Sequence, residues 1–369
     1  FRYKQRMLMT IFGVAGSVAL LFAGRGILSS LSGISHRQFG EIITYDAIVI
    51  KEAVMTGKEQ EALSQLLSTK EIEHYSDVHS ETIATKIAGV HEEQSLTILV
   101  GEEAELSRYI HLYDAKTKRQ KSLTNDGVFL SEKLAQLLNV HEGETVRLPI
   151  KDGVTKEIVV SGIIEMYAGH FMIMSPTVYE TLAQETPTKN ASFVSFKEKD
   201  ADSVRKMSAQ LLAQDGVKAV VQNTSMIHRI ETIVGSLSRV MILLTIVSVL
   251  LAIVILYNLT AINVAERIRE LSTIKVLGFL NREVTLYIYR ETMVLSLIGI
   301  GVGLLLGKVL HRVIIEAVAP AFVRFNPQVG LDVYIWPCIF IVLILAVLGI
   351  LVNHMLKKVD MLEALKSVD

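Results

Sequence analysis

The residue types that carry most enzyme chemistry are present in this chain, but none falls in a working pattern. His74, His79, His91, His111, His141 and His170 are scattered, and His91-Glu92-Glu93 lacks the second histidine, one helical turn on, that a zinc-binding helix needs. Ser161-Gly162 and Gly169-His170 lack the flanking glycines and partners of a nucleophile elbow. Gly307-Lys308 has Val302 where a phosphate loop needs glycine and Val309 where it needs a hydroxyl. The single cysteine, Cys338, excludes an internal disulfide framework. These absences predict a non-catalytic chain with no cofactor or metal site of its own. One run does carry organised charge, Asn263 to Phe279. Val264, Ile268, Leu271 and Ile274 repeat at helical spacing, Glu266, Arg267, Arg269, Glu270 and Thr273 occupy the opposite face, and Gly278 supplies a stop. An interfacial helix on lipid headgroups is one reading. The alternating acids are better suited to a protein partner of mixed charge than to an anionic membrane surface.

The elements that must position this run are membrane spans. Apolar segments cover Met7 to Leu28, interrupted by Arg25, then Val240 to Val264, Thr292 to Gly307 and Val333 to Leu356. A span needs about 20 apolar residues, so four are expected, the third being short unless its flanks contribute. Basic residues mark the cytoplasmic side: Arg2, Lys4 and Arg6 precede the first span, Arg267, Arg269, Lys275, Arg282 and Arg290 lie between the second and third, and Lys357, Lys358 and Lys366 follow the fourth. Lys308, His311 and Arg312 run against the rule and are attributed to snorkelling or lipid contact, while Arg25 is expected to snorkel or to pair near the outer interface.

The expected division is therefore a first helix with a cytoplasmic N-terminus over 1–28, an extracytoplasmic domain over 29–239, helices over 240–264, 292–307 and 333–356, an inner loop over 265–291, an outer loop over 308–332 and a cytoplasmic tail over 357–369. Half of the residues are hydrophobic and the formal net charge is -1, which argues against a nucleic-acid partner and for a multi-pass membrane protein, and the basic flanks place both termini inside. Strands are predicted at Tyr45 to Ile50, Ser95 to Val100, Tyr109 to Tyr113, Glu144 to Ile150, Glu157 to Ile164, Ala191 to Phe196 and Val217 to Val221. Helices are predicted at Lys58 to Leu67, Ser131 to Leu138 and Ala201 to Ala213, with a turn at Lys151-Asp152-Gly153. The fold class is thus an α-helical membrane protein with four transmembrane helices and a mixed α/β (α+β) extracytoplasmic domain inserted between helices 1 and 2, with an outer lobe at about 113–195.

The run Glu266-Arg267-Ile268-Arg269-Glu270-Leu271-Ser272-Thr273-Ile274-Lys275-Val276-Leu277-Gly278-Phe279 resembles the signature loop of FtsX/MacB-type ABC transporter permeases. The terminal Val359-Asp360-Met361-Leu362-Glu363-Ala364-Leu365-Lys366, the pattern from Val128 to Tyr167 and the order of the spans are similar to that family as well. The resemblance implies a permease subunit of the mechanotransmission type in a bacterial plasma membrane, in which ATP and Mg are bound by a separate cytoplasmic ABC ATPase. Hydrolysis there would move the outer domain for export or handling of a peptide, lipid-linked or antimicrobial cargo. Carried over, Glu266, Arg267, Arg269, Glu270 and Lys275 are candidates for the ATPase contact, with Gly278 ending the coupling helix.

The same resemblance implies a second permease unit, in cis if the chain is the C-terminal unit of a long two-unit Gram-positive permease, or as a homodimer. Gly299, Gly303 and Gly307 in the third span allow close approach of another helix, from this chain or from a second unit. Alternatives are regulation of an extracellular cell-wall hydrolase and a passive membrane-anchored receptor, so membrane lipid and an extracellular protein or peptide complete the expected partners. An ion channel or secondary transporter is disfavoured, because no span carries an acidic residue.

Overall fold

The computed structural model describes residues 4–31, 33–87, 90, 92–151, 154–267, 270–271, 273–274, 277–325 and 329–358. His91, the Asp152-Gly153 turn, Arg269, Lys275 and the motif from Val359 to Lys366 lie outside the described residues. Two compact units are present: Phe1–Ser32, Val234–Val318 and Asn326–Asp369 form one, Gly33–Ile233 and Ala319–Phe325 the other.

The first unit is helical. It contains α1 (Lys4–Leu31), and the last span keeps its helix through Pro337. Among the described residues four helices are long and apolar enough to cross a membrane. Hydroxyl side chains within the apolar runs bond carbonyls one turn back, Ser17 to Gly13 at 3.1 Å and Ser248 to Leu244 at 2.7 Å, which spares them the cost of an unmet polar group in hydrocarbon. Val14, Val18, Ala252, Leu256, Ile300, Ile341, Leu345 and Leu348 make the common core.

The second unit is built on one mixed sheet. Its inner half follows a split βαβ plan. Strand β1 (Ala47–Lys51), α2 (Gly57–Leu67) and β2 (Ile72–Thr85) form the first half of that plan. Thr56 and Glu59 close a capping box at the start of α2, satisfying amides that the helix itself cannot.

A long insertion leaves at the end of β2. It comprises β3 (Gln94–Val100), β4 (Val128–Ser131), α3 (Glu132–Leu138), β5 (Thr145–Lys151), β6 (Val154–Ile164), β7 (His170–Met174) and α4 (Pro176–Ala183). The chain then returns through β8 (Ala191–Phe196), α5 (Ala201–Leu212) and β9 (Val217–Gln222). Strand order is β5-β6-β4-β7-β3-β2-β8-β1-β9. The first part of β2 pairs with β8, Tyr75 opposite Val194, and its second part with β3, Thr82 opposite Thr97, both antiparallel, so one strand belongs to both halves of the sheet.

Each half has its own core. Leu63 and Leu67 of α2 and Val204 and Leu211 of α5 cover Val49, Val194 and Phe196 in the inner half. Leu134, Val140, Leu148, Val160, Met172 and Tyr179 fill the outer half. Full burial of such a side chain contributes about 1.5–3 kcal/mol, and the two clusters hold their halves separately. Gly127 is required where the chain enters β4, since a Cβ there would lie 2.3 Å from the Val159 carbonyl oxygen.

Among the described residues three long helices follow, α6 (Asn223–Glu266), α7 (Asn281–Val318) and α8 (Leu331–Lys358). Helix α6 starts on the residue after β9, and α7 runs past Gly307 to Val318. Several strands are not evident in the sequence: β2 is largely polar on one side, and β4 and β7 are short and buried without alternation. Conversely, the expected strand at Tyr109 to Tyr113 forms only single bridges, Ile43 with Ile110 and Tyr113 with Gln120. Its side chains pack rather than extend a ladder, Tyr109 standing 5.6 Å from Phe193. The outer half of the sheet also begins before Tyr113, because β3 belongs to it.

Candidate functional site

The mixed-charge segment begins in the last turn of α6 and continues beyond it. Glu270, Leu271, Thr273 and Ile274 are helical, and Gly278 takes a positive φ of 95° that suits its place after the helix. Val264 and Leu271 are buried in the common core of the helical unit, with Ile274 packed against it. The apolar face is therefore occupied by this chain's own helices, while Glu266, Glu270 and Thr273 are exposed. Arg267 is different: its guanidinium donates to Glu291 of α7 at 2.6 Å, both half-buried. That pair fastens the segment to α7 and withdraws Arg267 from the exposed set. Arg269 and Lys275 lie outside the described residues.

The α7 glycines face α1. A Cβ on Gly299 would meet Val14 at 2.9 Å, on Gly303 Val18 at 2.6 Å and the Ala15 carbonyl oxygen at 2.8 Å, and on Gly307 Phe22 at 2.7 Å. Gly301, off this face, has nothing within 4 Å. The basic residues at the far end of α7 also divide. His311 is buried rather than turned to lipid, 3.1 Å from the Ser30 hydroxyl and in edge contact with Phe22, whereas Lys308 and Arg312 are exposed. Arg25 finds a partner in Asp332 at 3.2 Å and sits 6.0 Å from the Trp336 ring.

A second concentration of charge was not evident in the sequence. In the α/β unit, Arg37, in a π-helical turn over Arg37–Ile42, donates twice to Glu165, at 3.4 and 3.0 Å, and also pairs with Glu41. Its guanidinium lies 4.8 Å from the Tyr113 ring. Glu165 receives the Tyr167 hydroxyl at 2.6 Å and the Lys118 ammonium at 3.3 Å, with only 2% of its side chain exposed. Lys118 reaches it from a left-handed backbone with φ 59°, a conformation costing a non-glycine residue about 1–2 kcal/mol.

Burial favours the neutral acid at Glu165, but the bonds from Arg37 and Tyr167 and the nearby Lys118 charge outweigh it and hold its pKa below the ordinary range. At Glu132, paired with Arg324, burial wins and the pKa is raised. Asp114 is desolvated too, yet hydrogen bonds from the Thr117 amide and hydroxyl and from Lys121 bring it down to about 2. His170 is pushed down to about 4 by burial and the Lys133 charge. No local pattern distinguishes these side chains from ordinary surface charges; the one available signal is that Glu165 follows directly on the apolar end of β6.

Among the described residues no three His, Cys, Asp or Glu side chains converge as a metal ion would require. An open groove of about 940 Å³ beside α2 is lined by Lys51, Tyr75, Asp77, Asn190 and Lys218. Lys51 is bonded to Asp77 at 2.7 Å there, and the mixture of charges names no ligand.

No curated protein matches the chain. Among solved structures it is similar to the periplasmic region of MacB from Actinobacillus actinomycetemcomitans, at 13% identity over 52% of this chain and 94% of that one, with a TM-score of 0.29. It is similar also to the extracellular domain of the noncanonic ABC-type transporter YknZ from Gram-positive bacteria, at 15% identity over 48% and 98%, with a TM-score of 0.27. Residues 242–353, which hold most of α6, the mixed-charge segment, the glycine-bearing α7 and most of α8, match the family model of the FtsX-like permease C-terminal domain. The likeness to that family thus rests on the C-terminal helical part of the chain.

Proposed function

We propose that this permease works by mechanotransmission: a separate cytoplasmic ATPase binds the segment after α6, and its nucleotide cycle is passed through the helices to the α/β domain, which handles an extracytoplasmic cargo. The observation that carries this reading is the fixing of the segment. Val264 and Leu271 are locked into the helical core and Arg267 is tied to Glu291, while Glu266 and Glu270 are exposed. A partner that bears on those acids pushes on a body continuous with α6 and α7 rather than on a loose loop. Exposed acids beside Arg269 and Lys275 suit a partner surface of mixed charge.

On this reading the chain itself is non-catalytic, ATP and Mg are held by the partner, a second permease unit completes the transporter, and the termini lie in the cytoplasm. The basic flanks set that orientation. The test is purification of the full-length protein from its own membranes in mild detergent, with mass spectrometry of what accompanies it. An ABC ATPase is expected with the wild type and is expected to be lost when Glu266→Arg and Arg269→Glu are combined. Its absence from wild-type preparations that retain the assembled permease would overturn the proposal.

A further inference from the structure

One short stretch of the α/β unit, Glu165 to Gly169 between β6 and β7, is held from two sides by segments that lead out of membrane helices. On one side is the turn just beyond the end of α1. Arg37 bonds Glu165, the Gln38 side-chain carbonyl accepts from the Tyr167 amide at 2.8 Å, and the Gln38 amide group donates to the Ala168 carbonyl at 3.4 Å. Gln38 is fully buried. On the other side is the loop joining α7 to α8. Arg324 donates its backbone amide to the Tyr167 carbonyl at 2.8 Å, the Gly169 amide donates to the Phe322 carbonyl at 2.8 Å, and Val323 bridges antiparallel to Ala168. The Arg324 guanidinium also pairs with Glu132 at the start of α3.

The two sides thus converge on the joint between β6 and β7, the two strands that flank β4 in the outer half of the sheet. Backbone bonds give this grip direction, and buried charge gives it selectivity: Glu132 and Arg324 are 13% and 15% exposed, so removing one leaves the other charge without its main partner in a poorly solvated place. A loop that only closed the gap between two helices would need neither the strand-like pairing nor the ion pair, since surface loops meet their backbone groups with water.

We propose that the Glu165 to Gly169 stretch is a coupling joint, through which displacement of α1 on one side and of α7 and α8 on the other turns the outer half of the α/β domain, with Arg324 and Glu132 as its latch. The inference rests on the mechanotransmission reading above and adds the residues that receive the motion. Arg324, Glu132, Arg37 and Gln38 act as positioning residues; none is assigned to cargo. Motion reaches the outer half along the chain from β6 and β7 and along α3 from Glu132.

The test uses the full-length permease with its copurified ATPase in lipid nanodiscs. Spin labels are placed at Gln136→Cys on α3 and Lys58→Cys on α2, both exposed, after Cys338→Ser. Label distances are compared with ADP and with a non-hydrolysable ATP analogue. The wild type is expected to show a nucleotide-dependent distance change. Arg324→Gln is expected to lose it while keeping the ATPase bound and its basal hydrolysis within twofold. Arg324→Lys, which keeps the charge, is expected to retain at least half of the change, and the reversed pair Glu132→Arg with Arg324→Glu is expected to restore it in part.

A change that persists undiminished in Arg324→Gln overturns the joint and leaves the mechanotransmission reading standing. A bound ATPase with no change even in the wild type overturns the joint as well. Absence of the ATPase from the wild type is the separate result that removes the underlying reading, and the joint with it.

Discussion

Charged residues in the α/β domain and in the segment after α6 have opposite fates. Around Glu165 a carboxylate is nearly sealed from water and held by Arg37, Lys118 and Tyr167 at once. After α6, the acids Glu266 and Glu270 are exposed, and only the apolar side of the segment is buried. The difference teaches what each set is for. Buried charges must be matched within the chain, because desolvation costs several kcal/mol per ion otherwise, and they set geometry. Exposed charges contribute little to stability, so their place on the surface suits recognition better than support of the fold. The helical unit follows a third rule, since its closest packing uses shape: glycines of α7 against valines and Phe22 of α1.

The sharpest way to break the comparison is Glu165→Ala. Removing the shared carboxylate strands Arg37 and Lys118, and the α/β domain is expected to lose about 3 kcal/mol, the low end for a broken buried pair because both cations keep some water. Chemical denaturation followed by tyrosine fluorescence would read the loss, and a loss under 1 kcal/mol would refute the structural role given to the cluster.

Acid provides a nearly equal effect. The neutral form of His170 is favoured in the fold, its pKa depressed to about 4, so its contribution is whole above the unfolded value near 6.5 and declines as pH falls toward 4, by up to about 3 kcal/mol. Asp114 adds a second loss below about pH 4, as the pH approaches its own depressed value near 2. Melting temperatures between pH 7 and pH 4.5 should fall in the wild type, and the part of that fall due to the imidazole should vanish in His170→Leu.

Gly303→Val tests shape against charge. Its added carbons meet both Val18 and the Ala15 backbone, so a loss of about 2 kcal/mol in detergent is expected from overpacking, while Gly301→Val, with open space around it, should change stability by less than about 0.5 kcal/mol. Equal effects at the two positions would mean that the stripe does not face α1. Smallest is Glu270→Lys: stability is expected to stay within about 0.5 kcal/mol, and the altered quantity should be retention of the ATPase during purification.

Much of this architecture could be read along the chain. Apolar runs announced the membrane helices, because a span differs from its flanks in simple composition over about 20 residues. Alternation announced β6, and helical spacing announced α2 and α5. The polar first part of β2 hid a strand that is buried only in part, and β4 and β7 lack the alternation that marks a one-sided strand. Tyr109 to Tyr113 has strand-forming residues but spends them on isolated bridges and aromatic packing. For the candidate residues the division is similar: the mixed-charge segment stood out by periodicity, and the glycines by spacing, but neither pattern could say which helix the glycines meet or that Arg267 is spent on Glu291.

By itself, then, the sequence determined the alternation of apolar and polar territory and the place of the exposed acidic face, because each is a property of neighbouring residues. Only the tertiary structure decided which charges are sealed and which are offered. Arg37 and Glu165 are 128 positions apart, and nothing local distinguishes them from solvated residues of the same type. Their roles come from desolvation, which depends on what the fold lays over them, and that is settled only when distant segments pack.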